Sequence, residues 1–440
     1  MAATIAGLAR DEPQHPPLYY ALARVWGGLR PDAGVAEAGR WLRWLGVGLG
    51  VLALLAMAWL ARELFDDRRV RAIAIALCAV SPFFVLYAKE AREYALLAGL
   101  VAASSAALLR ARRTGTRRAW VGYALLAAVG LYTSFNLVPM LAAHGAFVLA
   151  RERRPTRGLG AFALALAGAG ALFVPWAARL AAHFDAFEAS MAWSSEIVVP
   201  RGELLEIFAL NLSRPLIDTG ADAIDGPGVA AAVAVGLFAL AAGLASLRRA
   251  RSEAAALIVA LLVVPAAALL GPDLLGGGIR SMSARYLVPS LLAVILAVAH
   301  GLGSRGPVRP TRGLLAVALV VFSMASAVAM SRARAPWTKG VSRSLPAVAR
   351  ALDAGPPPLL VANRERHHPG NVLALTTMVR DRTRLQLLST VEDYALADHD
   401  GAVYLFSPSP RFCAELEASA GVSVVPVVQD LHLSLYRVSP

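Results

Sequence analysis

The sequence predicts a polytopic α-helical membrane protein of about ten transmembrane helices, ending in a small extracytoplasmic α/β domain. Three observations carry that expectation. Of the 440 residues, 57% are apolar and only 17% charged, and the mean hydropathy is +0.57. A soluble chain could not cover so large an apolar interior with polar surface, a requirement that a bilayer removes. The apolar residues fall in runs close to the roughly 20 residues needed to cross hydrocarbon: 45–60, 94–109, 158–176, 229–247, 254–270, 286–300 and 314–330. Finally, arginines cluster between the runs, as the positive-inside rule requires.

The net charge of +13 would suit nucleic acid if it lay on one face. Instead it is divided among short connections: Arg62 to Arg71, Arg110 to Arg118, Arg151 to Arg157, Arg248 to Arg251 and Arg305 to Arg312. These connections are assigned to the cytoplasm, and no nucleic-acid partner is expected. The alternate connections are poor in Lys and Arg: 89–92, 134–136, 179–227 and 271–283. They are assigned to the outside. The stretch 119–150 is too long for one span and reads as a helical hairpin with its tip at 134–136. The long loop 179–226 is expected to include helices lying at the membrane interface.

Residues 1–331 form the expected membrane domain and 332–440 the soluble one. In the latter, apolar runs shorten to strand length at 359–362, 385–388, 402–406, 422–428 and 433–436, between helical stretches at 345–352 and 412–418. The alternation of sides puts this domain outside the cytoplasm. It also puts residues 1–40 outside with no apolar signal segment before them, so one transmembrane helix is expected upstream of Met1. Cys78 and Cys413 stand too far apart in character to pair, and no Cys-based metal site is expected.

Three charged groups are candidates for chemistry. Asp11-Glu12-Pro13-Gln14-His15-Pro16-Pro17 sets two carboxylates and an imidazole before a Pro-initiated helix. Carboxylates there suit a general base or a metal, and the imidazole suits a phosphate; the plainer reading is juxtamembrane polarity. Lys89-Glu90-Ala91-Arg92-Glu93 packs four charges into a short turn, costly unless they pair or face water. Arg280 and Arg285-Tyr286 follow a glycine run at the mouth of a helix. Guanidinium offers bidentate donors to phosphate; the alternative is interfacial anchoring by snorkelling. No Walker or dinucleotide fingerprint is present. All three groups fall on the external side, which suits a lipid-linked phosphate substrate. Arg364-Glu365-Arg366-His367-His368 in the C-terminal domain lacks the ligand spacing of a metal site and reads as a polar loop.

The run HPPLYYALARVW, the segment YAKEAREYALL and the segment ARYLVPSLLAVILAVA resemble the membrane-embedded GT-C glycosyltransferases. Most similar is the bacterial glycosyltransferase family 39 type, related to protein O-mannosyltransferases and to the aminoarabinose transferase acting on lipid A. The resemblance runs along nearly the whole chain and implies a GT-C-like fold. It also implies sugar transfer from a polyprenyl-phosphate donor to a glycan, lipid or protein acceptor outside the cytoplasm, in a bacterial inner membrane. By position it places His15, Arg92, Arg285, Tyr286 and Arg280 near the donor phosphate, and makes Glu90 a catalytic carboxylate. The family's acidic motif after the first transmembrane helix is not visible; Asp11 and Glu12 stand in for it. A divalent cation, Mg or Mn, is compatible with the resemblance, and no other cofactor is required. Two further readings remain: a flippase for a lipid-linked sugar, or a non-catalytic scaffold displaying the C-terminal domain.

Overall fold

A computed structural model describes residues 2–152, 154, 156–304, 310–333, 343–363, 369–380, 383–388, 401–430 and 433–439. They divide into two compact units, one of residues 1–31 and 41–331, the other of residues 32–40 and 332–440.

The first unit opens with two short helices, α1 (Ala2–Asp11) and α2 (Leu18–Gly27), before the long α3 (Val35–Leu64). Trp26 of α2 and Trp41 of α3 stack at 4.6 Å, and each indole N–H donates to the other residue's carbonyl. This double tie fixes α2 to α3. Helix α4 (Arg68–Val80) and α5 (Pro82–Ala88) form one apolar path bent by 52°. The bend falls where Pro82 cannot continue the helical ladder, and Ser81 caps the new start. Then come α6 (Tyr94–Thr114), α7 (Arg117–Leu131), α8 (Leu137–Arg151) and α9 (Arg157–Ala182). Three helices in the 179–226 region follow: α10 (Phe184–Met191), α11 (Trp193–Glu196) and α12 (Arg201–Ser213). The unit ends with α13 (Pro227–Ala250), α14 (Glu253–Gly276), α15 (Val288–Gly303) and α16 (Pro310–Arg332). The α15 helix is apolar all round and buried at every residue from Val288 to Ala299. It packs against α4, α6, α13 and α14, as a bundle's central helix must.

Among the described residues, seven helices are long and apolar enough to cross a membrane, or eight if the bent α4–α5 pair is one span. This corrects the expected count of about ten. The difference lies in α7 and α8, the two arms of the 119–150 hairpin, at 15 residues each. Such a helix is about 22 Å long, short of the ~30 Å hydrocarbon core. The hairpin itself turns through residues 132–136, where the sequence locates its tip.

Polar contacts sort the connections into two sets. Leu18 N–H donates to Tyr132 O and Ile279 N–H to Ser194 O. Asn211 reaches Met282 O at 2.9 Å, and Ser326 Oγ accepts from Asp218 N–H. The first three join segments at or beside connections that the sequence assigns to the outside, and the last ties one of them to α16 near its C-terminal end. In the other set, Arg112 pairs with Glu152 and Glu253, and Arg113 with Glu63. No contact named here joins one set to the other.

In the second unit, a five-stranded sheet has the order β2-β1-β3-β5-β4, with β1 (Leu359–Asn363), β2 (Arg384–Leu388), β3 (Val403–Phe406), β4 (Ser423–Gln429) and β5 (Ser434–Ser439). The first three run parallel, and β5 is antiparallel to both β3 and β4. Helices α17 (Leu345–Asp353) and α18 (Pro369–Thr376) cover one face through Val348, Leu352 and Leu375 on Leu360, Ala362 and Leu435. Helix α19 (Pro410–Ala420) covers the other through Phe412 and Leu416 on Val361, Leu405 and Val438. Alternate strand residues feed the two cores, the period of two expected of a covered sheet.

Candidate functional site

The site is assembled from three chain segments. The first is the α1–α2 loop. Asp11 closes α1, and its side chain lies outside the described residues. Glu12 is partly buried, and its carboxylate accepts from Gln14 Nε2. His15 stands between two carboxylates: its Nε2 is 3.7 Å from Glu12 Oε2, and its Nδ1 is 4.0 Å from Glu93 Oε1. The His15 ring lies 5.7 Å from that of Tyr20, which in turn meets Tyr19 edge-on.

The second segment is the turn between α5 and α6. It lies directly against α3, because Gly46 has no side chain there. A Cβ at Gly46 would come within 2.7 Å of Ala88 O and 2.8 Å of Glu90 O. Below the turn, Tyr19, Leu45, Leu49, Ala88 and Ala95 form an apolar base. Glu93 is the N-cap residue of α6 but makes no side-chain capping bond. The residue is 4% exposed, so its side chain faces inward instead.

The third segment joins α14 to α15. Gly277 and Gly278 both take positive φ, of 84° and 118°, a region open to glycine. The chain thereby folds back so that the Asp273 carboxylate accepts from Arg280 Nη1 at 2.9 Å and from Ser281 N–H and Oγ at 2.7 and 2.8 Å. Arg280 is therefore committed to Asp273 and to Gly277 O. Five residues on, Arg285 lies over the Tyr286 ring at 5.1 Å.

Electrostatics bring these segments together. Burial pushes the Glu93 carboxyl up, while a backbone hydrogen bond, Arg92 and Arg285 pull it down and Glu90 pushes it further up. Burial, then the Glu93 charge, also pushes the Tyr19 and Tyr20 hydroxyls up. For Arg92, burial opposes the charge, but Tyr94, Glu93 and Tyr20 outweigh it and the pKa is raised. The structure thus gathers His15, Glu12, Glu90, Arg92, Arg285 and Tyr286 around one place. With them come Glu93, Tyr19, Tyr20, Tyr87 and Tyr94, which belong to the same candidate segments but had no role assigned from the sequence. The signal for Glu93 was present: an acid immediately before a long apolar helix suits its dipole, and its failure to cap shows only in three dimensions.

Four buried polar atoms in these segments have no hydrogen-bond partner: Gln14 Oε1, Tyr19 OH, Glu93 Oε2 and Arg285 Nε. Each such group costs about 1–3 kcal/mol if left unsatisfied, and buried polar atoms are normally satisfied by protein, ordered water or a bound group. Among the described residues no group of three His, Cys, Asp or Glu side chains could hold a metal ion. No step below passes through a metal ion. The His367-His368 pair lies outside the described residues.

Residues 14–178 match the family model described as dolichyl-phosphate-mannose-protein mannosyltransferase. The fold matches the crystal structure of ArnT from Cupriavidus metallidurans in the apo state, with a TM-score of 0.59 and 13% identity, over 96% of this chain and 87% of that one. The same enzyme bound to undecaprenyl phosphate matches with a TM-score of 0.58 and 13% identity, over 97% and 88%. The chain has the fold of ArnT. No curated protein matches by sequence comparison, and at 13% identity the structural match speaks for the fold alone. The matched 14–178 segment holds His15, Glu90, Arg92 and Glu93, whereas Arg285 and Tyr286 lie beyond it.

Proposed function

We propose that this chain transfers a sugar from a polyprenyl-phosphate-linked donor to an acceptor outside the cytoplasm, in a bacterial inner membrane, with its C-terminal domain on that same side. The observation that carries the reading is the convergence of Arg92, Arg285 and His15 on a region with unpartnered buried polar atoms. Cationic donors fixed in advance in a low-dielectric site stabilise charge as it develops. The ArnT structure with undecaprenyl phosphate shows a lipid phosphate on this fold.

In this reading the acceptor hydroxyl loses its proton to a carboxylate, with Glu90 the first candidate and Glu12 and Asp11 beside it. The hydroxyl oxygen attacks the anomeric carbon. The bond from that carbon to the phosphate oxygen breaks, and the polyprenyl phosphate leaves with the electron pair. Arg285, Arg92 and His15 offset its charge, Tyr286 stacks under Arg285, and Arg280 shapes the turn that presents it.

The test is transfer from a radiolabelled polyprenyl-phosphate sugar by the full chain in membranes. Arg285→Ala and Glu90→Ala are expected each to lower transfer by about 10²–10³-fold while the protein still inserts. Transfer by both at the wild-type rate rejects the site. Label that crosses the membrane without covalent transfer would indicate a flippase, and neither transfer nor movement a scaffold.

A further inference from the structure

His15 is poised between an outer and an inner carboxylate, and the inner one is unusual. Glu93 is buried, caps nothing, and leaves Oε2 without a partner. A buried carboxylate of that kind is expensive to maintain. Its only ion-pair contact among the described residues is the imidazole of His15, at 4.0 Å. That is about 1 Å longer than a hydrogen bond, a gap that closes in many sites when ligand arrives.

We propose that Glu93 is a positioning residue for His15, holding Nδ1 and supplying the proton with which the imidazole binds an anionic phosphate oxygen as imidazolium. The proposal rests on the phosphate reading above. Before binding, the pair shares one proton and carries no net charge, as carboxylic acid with imidazole. When a phosphate oxygen accepts from Nε2–H, the proton on Glu93 Oε1 moves to Nδ1. The carboxylate left behind is balanced by the imidazolium, and the imidazolium by the phosphate. Burial favours the neutral carboxyl in the empty site, so the proton is in place before the ligand comes. Other groups facing the pair are Glu12 from the loop, Tyr19 and Tyr20 from α2, Glu90 and Arg92 from the turn, Tyr94 from α6, and Arg285 from the third segment. Of these the carboxylates add to the demand for a proton on His15, and the arginines oppose it.

The consequence is a binding site that works at a higher pH than histidine alone allows. A lone imidazole loses its proton near pH 6.5, whereas the pair retains one until the carboxyl proton is also gone. The experiment measures binding of undecaprenyl phosphate to the full chain in nanodiscs between about pH 5.5 and 8.5, a range bracketing free imidazole. Wild type is expected to keep its affinity through neutrality. Glu93→Gln should lose about tenfold above pH 7 and little near pH 5.5, its midpoint falling toward that of free imidazole. His15→Gln should lose affinity throughout and flatten the profile, and the double variant should be no worse than His15→Gln.

Superimposable profiles for Glu93→Gln and wild type overturn the proposal. So does an equal loss at every pH, which marks a structural role, or additivity in the double variant. If Glu93→Gln does not fold, His15→Gln still decides, because wild-type affinity in that variant across the pH range overturns the proposal. Wild type that binds no undecaprenyl phosphate at any pH overturns the phosphate reading instead.

Discussion

At the scale of single residues, the site depends on side chains that are held rather than merely present. Asp273 is the clearest case. Its side chain is fully buried and accepts from Arg280 and twice from Ser281. Asp273→Ala would leave the buried Ser281 N–H unsatisfied and Arg280 with Gly277 O but no carboxylate, a loss of about 1–3 kcal/mol. Arg285 sits at the end of the same turn, so undecaprenyl phosphate affinity should fall together with the melting temperature in detergent. Glu93 makes a second prediction. Its carboxyl is pushed up by burial, so the folded chain keeps a proton that the unfolded chain has released. Stability should therefore decline as pH rises above the ordinary carboxylate range and through the raised value. Glu93→Gln, which cannot ionise, should flatten that decline in thermal unfolding measured against pH.

At the scale of elements, a buried polar knot attaches the 179–226 region to its neighbours. Arg214, 1% exposed, donates to Asn211 Oδ1, Asp218 Oδ1 and Ala221 O. Asn211 in turn holds the carbonyls of Ser281 and Met282, and Asp218 is joined to Ser326 of α16. The loop after α12 is thus bonded both to the turn that carries Arg285 and to a membrane helix. Asp218→Leu should cost up to about 3–5 kcal/mol, because it removes the carboxylate that pairs with the buried Arg214 guanidinium. Replacing both partners by apolar residues should cost less. Unfolding of the single and double variants in detergent compares the two. Gly46 is the other element-scale device. Gly46→Leu would drive its side chain into Ala88 and Glu90, displacing the α5–α6 turn, so sugar transfer should be lost without loss of membrane insertion.

At the scale of the whole molecule, the sorted contacts predict sidedness. Connections assigned to the outside are bonded to one another, as are the arginine-rich ones. Alkaline phosphatase fused after Pro440 should be active and green fluorescent protein fused there dark, while fusions within the Arg110–Arg118 connection should show the reverse. An active phosphatase at both places would contradict the alternation. Long, strongly apolar spans such as α13, α14 and α16 were legible in the sequence because the hydrophobic requirement is local. So was the hairpin at residues 119–150, whose tip is marked by polar residues. Its two helices being too short to count as full spans was not legible, because the arginines at their ends blur where helix stops and connection begins.

What the sequence determined by itself is therefore what is encoded one segment at a time: apolar runs, the arginine clusters between them, the short strands after residue 355, and the resemblance carried by HPPLYY, YAKEAREY and ARYL. Those features depend on composition and period within a window of neighbours. Only the tertiary structure decided which charged residues meet. It brought His15 to Glu93 across 78 positions, committed Arg280 to Asp273 while leaving Arg285 beside Tyr286, and left four buried polar atoms around one place without partners. The physical reason is that burial and pairing are properties of packing between distant segments. A glutamate at a helix start reads the same in a sequence whether it caps the helix or faces a histidine in the interior.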